Sequence, residues 1–281
     1  VGYTVEVAEA DAYADGLTWS NLAARTATTD QTTVSDDLST NALSSDYRFY
    51  RVKRDDGSEY SWQTAAVFEL HLAVGFATRQ FFVSTPLIPD TDHVGVEDVL
   101  GTQLDYAGVR MDKLIADSGL YSSATYDDVA DTWTGGYSIV AGEGYWLKVG
   151  NAYPIPHTVR LTGYVPEETL RVSVARDSWA VSHRWIGYSM PRPTTLGALG
   201  LEAEVVPFWS SEVRLLPLGA TAWNSYRWDG AKWYDVTNPG VDAGGTPIAC
   251  GEGILFIHNA IAGEDDTLVW PTWYLHPPNT W

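Results

Sequence analysis

Two glutamates in matching surroundings are the residues most suited to chemistry. Ala141-Gly142-Glu143-Gly144-Tyr145-Trp146-Leu147 recurs as Cys250-Gly251-Glu252-Gly253-Ile254-Leu255-Phe256. A carboxyl pair about 5 to 10 Å apart suits glycoside hydrolysis. Each glutamate, however, sits between two glycines and just ahead of three large apolar residues. That is the pattern of a turn feeding a buried strand, and we read both as turn residues. There is no Gly-x-Ser-x-Gly nucleophile elbow and no Gly-rich phosphate loop. The lone cysteine, Cys250, has no evident histidine partner and reads as a small buried apolar residue. The histidines, at 71, 93, 157, 183, 258 and 276, lack metal-ligand spacing. The expectation is a protein that is not an enzyme.

Hard cations want clustered oxygens. Asp55, Asp56 and Glu59 form one such cluster, Asp90 and Asp92 a second, and Glu264, Asp265 and Asp266 a third. None has the full spacing of a known calcium loop, and solvated turns explain all three. Calcium is the one cofactor these residues suggest; otherwise none is expected.

The aromatic residues leave two uses open. There are 13 Trp and 16 Tyr, with Trp223, Trp228, Trp233, Trp270, Trp273 and Trp281 crowding the last third. Exposed rings can stack on sugars, whereas buried rings fill β cores and subunit interfaces. Trp146 and Trp270 fall in strands read as core. Tyr145, Trp146, Ile254 and Phe256 are expected inside, in strands covered on both faces because their apolar residues are successive.

The elements that must position these residues are strands. Tyr3, Val5 and Val7 alternate with Thr4, Glu6 and Ala8, and Phe68, Leu70 and Leu72 with Glu69 and His71. Short helical turns are expected only at Val96–Leu100 and Thr195–Leu201. Beyond the Gly-Glu-Gly turns, Ser84-Thr85-Pro86 pairs with Ser189-Met190-Pro191, and Thr158–Leu161 with Thr267–Trp270. An aromatic hairpin around Tyr126 and Trp133 pairs with Tyr226 to Trp233, whose Asp229-Gly230 is a hairpin-turn signal. Landmarks in one order indicate a duplication. The fold expected is all-β: an N-terminal module over 1–64, then two duplicated, divergent β-sandwich or barrel units over 65–166 and 167–281.

The first segment resembles the fibronectin-III-like sandwich modules of secreted bacterial proteins, through its closing Phe49-Tyr50-Arg51-Val52. The whole order of landmarks resembles a group of secreted bacterial surface β-proteins with a strand ending in Ser-x-Pro, a Tyr…Trp hairpin and a Gly-x-Gly-aromatic strand. That resemblance implies an extracytoplasmic β-protein and carries no functional residue with it.

Composition narrows the partners. The net charge of -19 repels phosphate backbones, which makes nucleic acid and anionic membrane surfaces poor partners, and no nucleic acid is expected. No apolar run approaches the roughly 20 residues that span a bilayer. One cysteine allows no intrachain disulfide. Lysine occurs only at 53, 113, 148 and 232, in a Thr/Ser/Asp/Gly/Tyr-rich chain of extracellular type. A start in strand-like sequence without Met suggests a mature chain after leader removal. The leading expectation is a structural subunit of an extracellular or cell-surface homopolymer, such as a filament, tube or surface layer. Its contacts would join Tyr3, Val5 and Val7 of an open N-terminal strand to the aromatic run with Trp270, Trp273 and Trp281. The alternative is a carbohydrate-binding or adhesion protein with glycans as partners.

Overall fold

β-branched and aromatic residues at period two, cut at short intervals by Gly, Asp and Pro, leave little room for helices. The computed structural model describes residues 2–10, 17–26, 34, 36, 45–56, 63–72, 79–89, 94–115, 120–150, 156–166, 170–173, 182–204, 211–218, 220–258 and 267–270. The chain begins with β1 (Gly2–Ala10), β2 (Ser20–Thr26), β3 (Tyr47–Arg54) and β4 (Ala65–Leu72). Then come β5 (Gln80–Ser84), the short helix α1 (Val96–Leu100), β6 (Arg110–Ile115), β7 (Leu120–Asp127), β8 (Thr132–Gly135), β9 (Gly144–Lys148) and β10 (His157–Tyr164). The last part holds β11 (Leu170–Ser173), β12 (Ser182–Gly187), β13 (Thr194–Thr195), β14 (Glu212–Leu215) and β15 (Asn224–Trp228). It ends with β16 (Trp233–Asp235), β17 (Asn238–Asp242), β18 (Pro247–Ile248), β19 (Gly253–His258) and β20 (Thr267–Trp270). A 3-10 turn at Leu196–Ala198 lies where the second helical turn is expected. The protein is all-β, in several antiparallel sheets.

The first sheet runs β10-β4-β3-β1-β2. β3 pairs with β4 from Tyr47↔Phe68 to Tyr50↔Ala65, so the boundary expected after residue 64 falls between two strands of one sheet. Tyr47 stacks on Phe49 at 5.3 Å and tilts onto Phe68 at 4.7 Å, closing the buried face. β1 lies inside this sheet, bonded to β2 on one side and β3 on the other. Its backbone groups are therefore already paired, and β1 is not the open edge expected for strand addition. Tyr3, Val5 and Val7 are half-buried, and the buried Glu6 is paired with Arg51 at 2.7 Å.

Two further sheets follow one path. One runs β5-β9-β6-β7-β8 and the other β12-β19-β14-β15-β16-β17. Gly144 stands opposite Ser84, and Gly253 opposite Gly187. Ladder by ladder from those glycines, Asp112 matches Arg214, Ser123 matches Ser225, and Tyr126 matches Trp228. The aromatic hairpins agree: Tyr126 meets Trp133 at 5.7 Å, and Trp228 meets Trp233 at 5.6 Å. At both tips an aspartate oxygen accepts two backbone N–H groups, Asp127 from Val129 and Ala130, Asp229 from Ala231 and Lys232. The ladders also revise the Ser-x-Pro pairing. Ser84 matches Gly187, and Ser189 lies two residues further on, where its hydroxyl accepts the Gly142 N–H at 2.6 Å.

The two sheets meet through reciprocal contacts. Ser84 N–H donates to the Gly251 carbonyl at 2.8 Å, and Gly187 N–H to the Gly142 carbonyl at 2.9 Å. Gly187 is required here, since a Cβ would lie 2.1 Å from the Glu143 carbonyl oxygen. Phe81, Leu147, Met111 and Ala124 form one buried row across the first of these sheets, and Phe256, Val213 and Tyr226 one across the second. A single connected cluster of buried side chains runs from Tyr47 and Phe68 through these rows. Among the described residues no helix is long and apolar enough to cross a membrane.

Tyr145, Ile254 and Phe256 belong to that core, each at most 1% exposed. Trp146 does not. It is half-buried, because β9 alternates and only its Tyr145/Leu147 face meets the core. The strand covered on both faces is thus corrected to one with a core face and a face turned elsewhere.

Candidate functional site

The glutamates prominent in the sequence sit in turns. Gly142 and Gly251 take φ of 89° and 77°, which side chains with a Cβ rarely adopt. Glu252 accepts the Ala249 N–H of its own turn at 2.9 Å and the Leu218 N–H at 3.2 Å. Burial raises its pKa against the pull of those donors. Glu143 pairs with Lys113 at 2.6 Å and accepts the Tyr145 hydroxyl at 3.0 Å. Cys250 is buried beside Tyr47, and burial pushes its thiol up to about 12.

Of the calcium candidates, Asp55 accepts the Thr4 hydroxyl at 3.0 Å and Asp56 pairs with Arg54 at 3.2 Å. Glu59, Asp90, Asp92, Glu264, Asp265 and Asp266 lie outside the described residues, as do Trp273 and Trp281. Trp270 ends β20 opposite Leu170. Among the described residues no group of three or more His, Cys, Asp or Glu could hold a metal ion.

The chemistry-bearing site lies instead where the outer faces of the two sheets approach. On the first of these two sheets, β5-β9-β6-β7-β8, the ladders align Phe82, Trp146, Asp112 and Ser123 in one row, with Gln80, Lys148 and Arg110 in the next row on that face. On the second sheet Trp185 and Leu255 form the matching row, with His183 beside them and Trp223 just before β15. All of these but Ser123 and Gln80 line a cleft of about 470 Å³ that includes Tyr121. That volume lies within the ~300–1,000 Å³ usual for small-ligand sites.

Phe82, 1% exposed, is the hub. It meets Trp185 edge-on at 5.5 Å, and Trp146 and Trp223 at 5.6 Å each. The backbone has to come close for this, since a Cβ on Gly253 would lie 2.7 Å from the Phe82 ring. Trp146 and Trp223 stack at 5.7 Å with planes 7° apart, and the Trp146 indole N–H donates to Gln80 at 2.8 Å. Tyr121, 57% exposed, leans on Trp185 at 5.3 Å. By ladder position Tyr121 matches Trp223, so each sheet sends one aromatic residue onto the other sheet's first strand. Offset and tilted aromatic pairs of this kind contribute about 0.5–1.5 kcal/mol each beyond their buried area.

A polar cluster forms one wall. Asp112, 3% exposed, accepts from Arg110 Nε at 2.5 Å, Ser123 Oγ at 2.7 Å and Lys148 Nζ at 2.8 Å. Its burial favours the neutral form, but the bonds from Lys148, Arg110 and Ser123 outweigh this and lower its pKa. The second sheet has the charges reversed: Glu212 matches Arg110, and Arg214 matches Asp112. Glu212 is held ionised by Arg214 and Arg227. Apolar ring faces beside fixed donors and one fixed carboxylate suit a ligand with both C–H faces and hydroxyl groups.

Of this site the sequence singled out Trp223 among possible stacking residues and placed Trp146 in the core. Phe82, Tyr121, Trp185, Arg110, Asp112, Lys148 and His183 were not singled out as a group. The signal available was the i, i+2 spacing of Arg110 and Asp112 and of Trp146 and Lys148, which puts each pair on one strand face. No protein-family model matches the chain, and no curated protein or solved structure matches it either.

Proposed function

We propose that the chain is a carbohydrate-binding protein of extracellular or cell-surface type, with the aromatic cleft as its saccharide site. The carrying observation is the Trp146–Trp223 stack beside the Asp112 cluster. A pyranose presents a C–H face to an aromatic ring and hydroxyls around its rim. Trp185 and Tyr121 offer ring faces, and the Trp146–Trp223 stack adds an apolar edge beside them. Lys148 and Arg110 can donate to hydroxyl oxygens, and Asp112 can accept. We further read 65–166 and 167–281 as divergent copies of one β unit, which the shared strand order and the reciprocal Ser84–Gly251 and Gly187–Gly142 bonds support. In this reading 1–64 is a fibronectin-III-like module whose last strand, β3, joins the sheet of the first copy through β4, and the family is that of secreted bacterial surface β-proteins.

The test is a glycan array probed with wild-type chain and with Trp223→Ala. Saturable binding by wild type that the variant loses, at unchanged circular dichroism, supports the reading. Absence of wild-type binding across neutral and acidic glycans rejects it.

A second reading, a homopolymer subunit, is favoured by the exposed apolar end of the β6–β7 pair. Ile115, Leu120 and Tyr121 are 42%, 64% and 57% exposed there. Ordered polymers in negative-stain micrographs of concentrated protein would support this reading, and a strictly monomeric chain would reject it.

A further inference from the structure

The charge of the cleft is at odds with the charge of the chain. The net charge is -19, yet the cleft is lined by Arg110, Lys148 and His183 against the single carboxylate of Asp112. Two permanent cations facing one anion leave a positive excess in the cleft. Burial of Asp112 fixes both cations, because their Nε and Nζ atoms are tied to its two oxygens. The side chains of Arg110 and Lys148 remain 45% and 36% exposed, so their other donors face solvent. For Arg110 the terminal nitrogens have no partner among the described residues, and a planar pair of N–H donors matches an oxyanion.

On the partner sheet Arg214 and Arg227 likewise face one carboxylate, Glu212, but none of the three lines the cleft. There Leu255 matches Trp146 and Ile257 matches Lys148. One end of the cleft is thus aromatic and apolar and the other cationic.

We propose that the saccharide bound here is anionic, with a carboxylate or sulfate group held between Arg110 and Lys148 while its ring lies against the aromatic wall. This rests on the saccharide reading above and names the class of sugar. Such a group would supply the counter-charge that Asp112 only half provides, and the acidic surface elsewhere would repel the same ligand from competing sites.

The experiment compares three ligands by calorimetry on the full chain: an oligogalacturonate, a sulfated galacto-oligosaccharide and a neutral galacto-oligosaccharide of equal length. An acidic ligand is expected to bind about tenfold more tightly than the neutral one, the scale of a charge-assisted hydrogen bond. That advantage should shrink as NaCl is raised, while neutral binding stays flat. Whichever acidic ligand wins identifies the group. Lys148→Gln, which keeps a donor for Asp112, should bring the acidic-to-neutral affinity ratio down to about one. Equal affinity for all three ligands, or an advantage that survives Lys148→Gln and high salt, overturns the proposal and leaves the saccharide site standing. Binding of none of the three overturns both.

Discussion

Trp146 and Trp223 come from different sheets and stack almost parallel, ring centroids 5.7 Å apart and planes within 7°. The contact joins the sheets and leaves both indoles half-buried. Trp223→Ala should therefore separate two effects. Loss of its two aromatic pairs, with Trp146 and Phe82, should cost stability by about 1–3 kcal/mol, and saccharide affinity should fall at least about tenfold. Urea unfolding and calorimetric titration of the same preparation measure both. A variant that binds as well as wild type would remove Trp223 from the site.

The close approach at Gly187 yields a sharper stability prediction. A Cβ there would meet the Glu143 carbonyl at 2.1 Å and Ser84 Cβ at 2.5 Å, both in the packed junction. Gly187→Ala should destabilise by about 1–3 kcal/mol or more. Gly240→Ala, with nothing within 4 Å of the new Cβ, should stay within about 0.5 kcal/mol of wild type. Equal melting temperatures for the two variants would contradict the description of the junction.

Acid should weaken the fold through Asp112 and Glu212. Both carboxyls are held below their ordinary range in the folded state, burial being outweighed by Lys148 and Arg110 in one case and by Arg214 and Arg227 in the other. A lowered folded-state pKa gives stability that is present above the unfolded value, about 4, and lost as pH falls through the folded value. Melting temperature should drop below about pH 4, and Asp112→Asn should flatten that drop. A drop of the same steepness in the variant would show that Asp112 contributes nothing to it.

Cys250 offers a probe of the core. Its thiol is buried and pushed up to about 12, with almost no thiolate at pH 8. Reaction with a thiol reagent at pH 8 should wait for unfolding, so its rate should follow urea concentration through the transition. Fast labelling of the native protein would place the 249–252 turn at the surface.

The sequence made the all-β class legible, since period-two runs and closely spaced turn residues admit little else. The helical turn at Val96–Leu100 and the inward Tyr145, Ile254 and Phe256 were likewise readable from local pattern. Partnership was not. The interior position of β1 depends on β2 and β3 closing on both its edges, a long-range matter on which alternation is silent. Trp146 illustrates the same gap. A run of three apolar residues fits a doubly covered strand and equally a strand with one aromatic cleft face, and only the neighbouring sheet decides between them. The Ser-x-Pro pairing went astray by two residues because it matched letters, whereas the ladders fix register from Gly144 and Gly253. Asp112 was hidden for a related reason: its partners Lys148 and Ser123 come from β9 and β7.

A saccharide entering the aromatic cleft is reported directly by the indole N–H resonances of ¹⁵N-labelled protein. During titration with the best-binding oligosaccharide, the Trp146, Trp185 and Trp223 signals should shift together and saturate with one Kd. Those of Trp133, Trp228 and Trp233, at the hairpins, should stay in place. Saturating shifts confined to the hairpin indoles, or no shift in any indole at millimolar ligand, would contradict the assignment of the cleft.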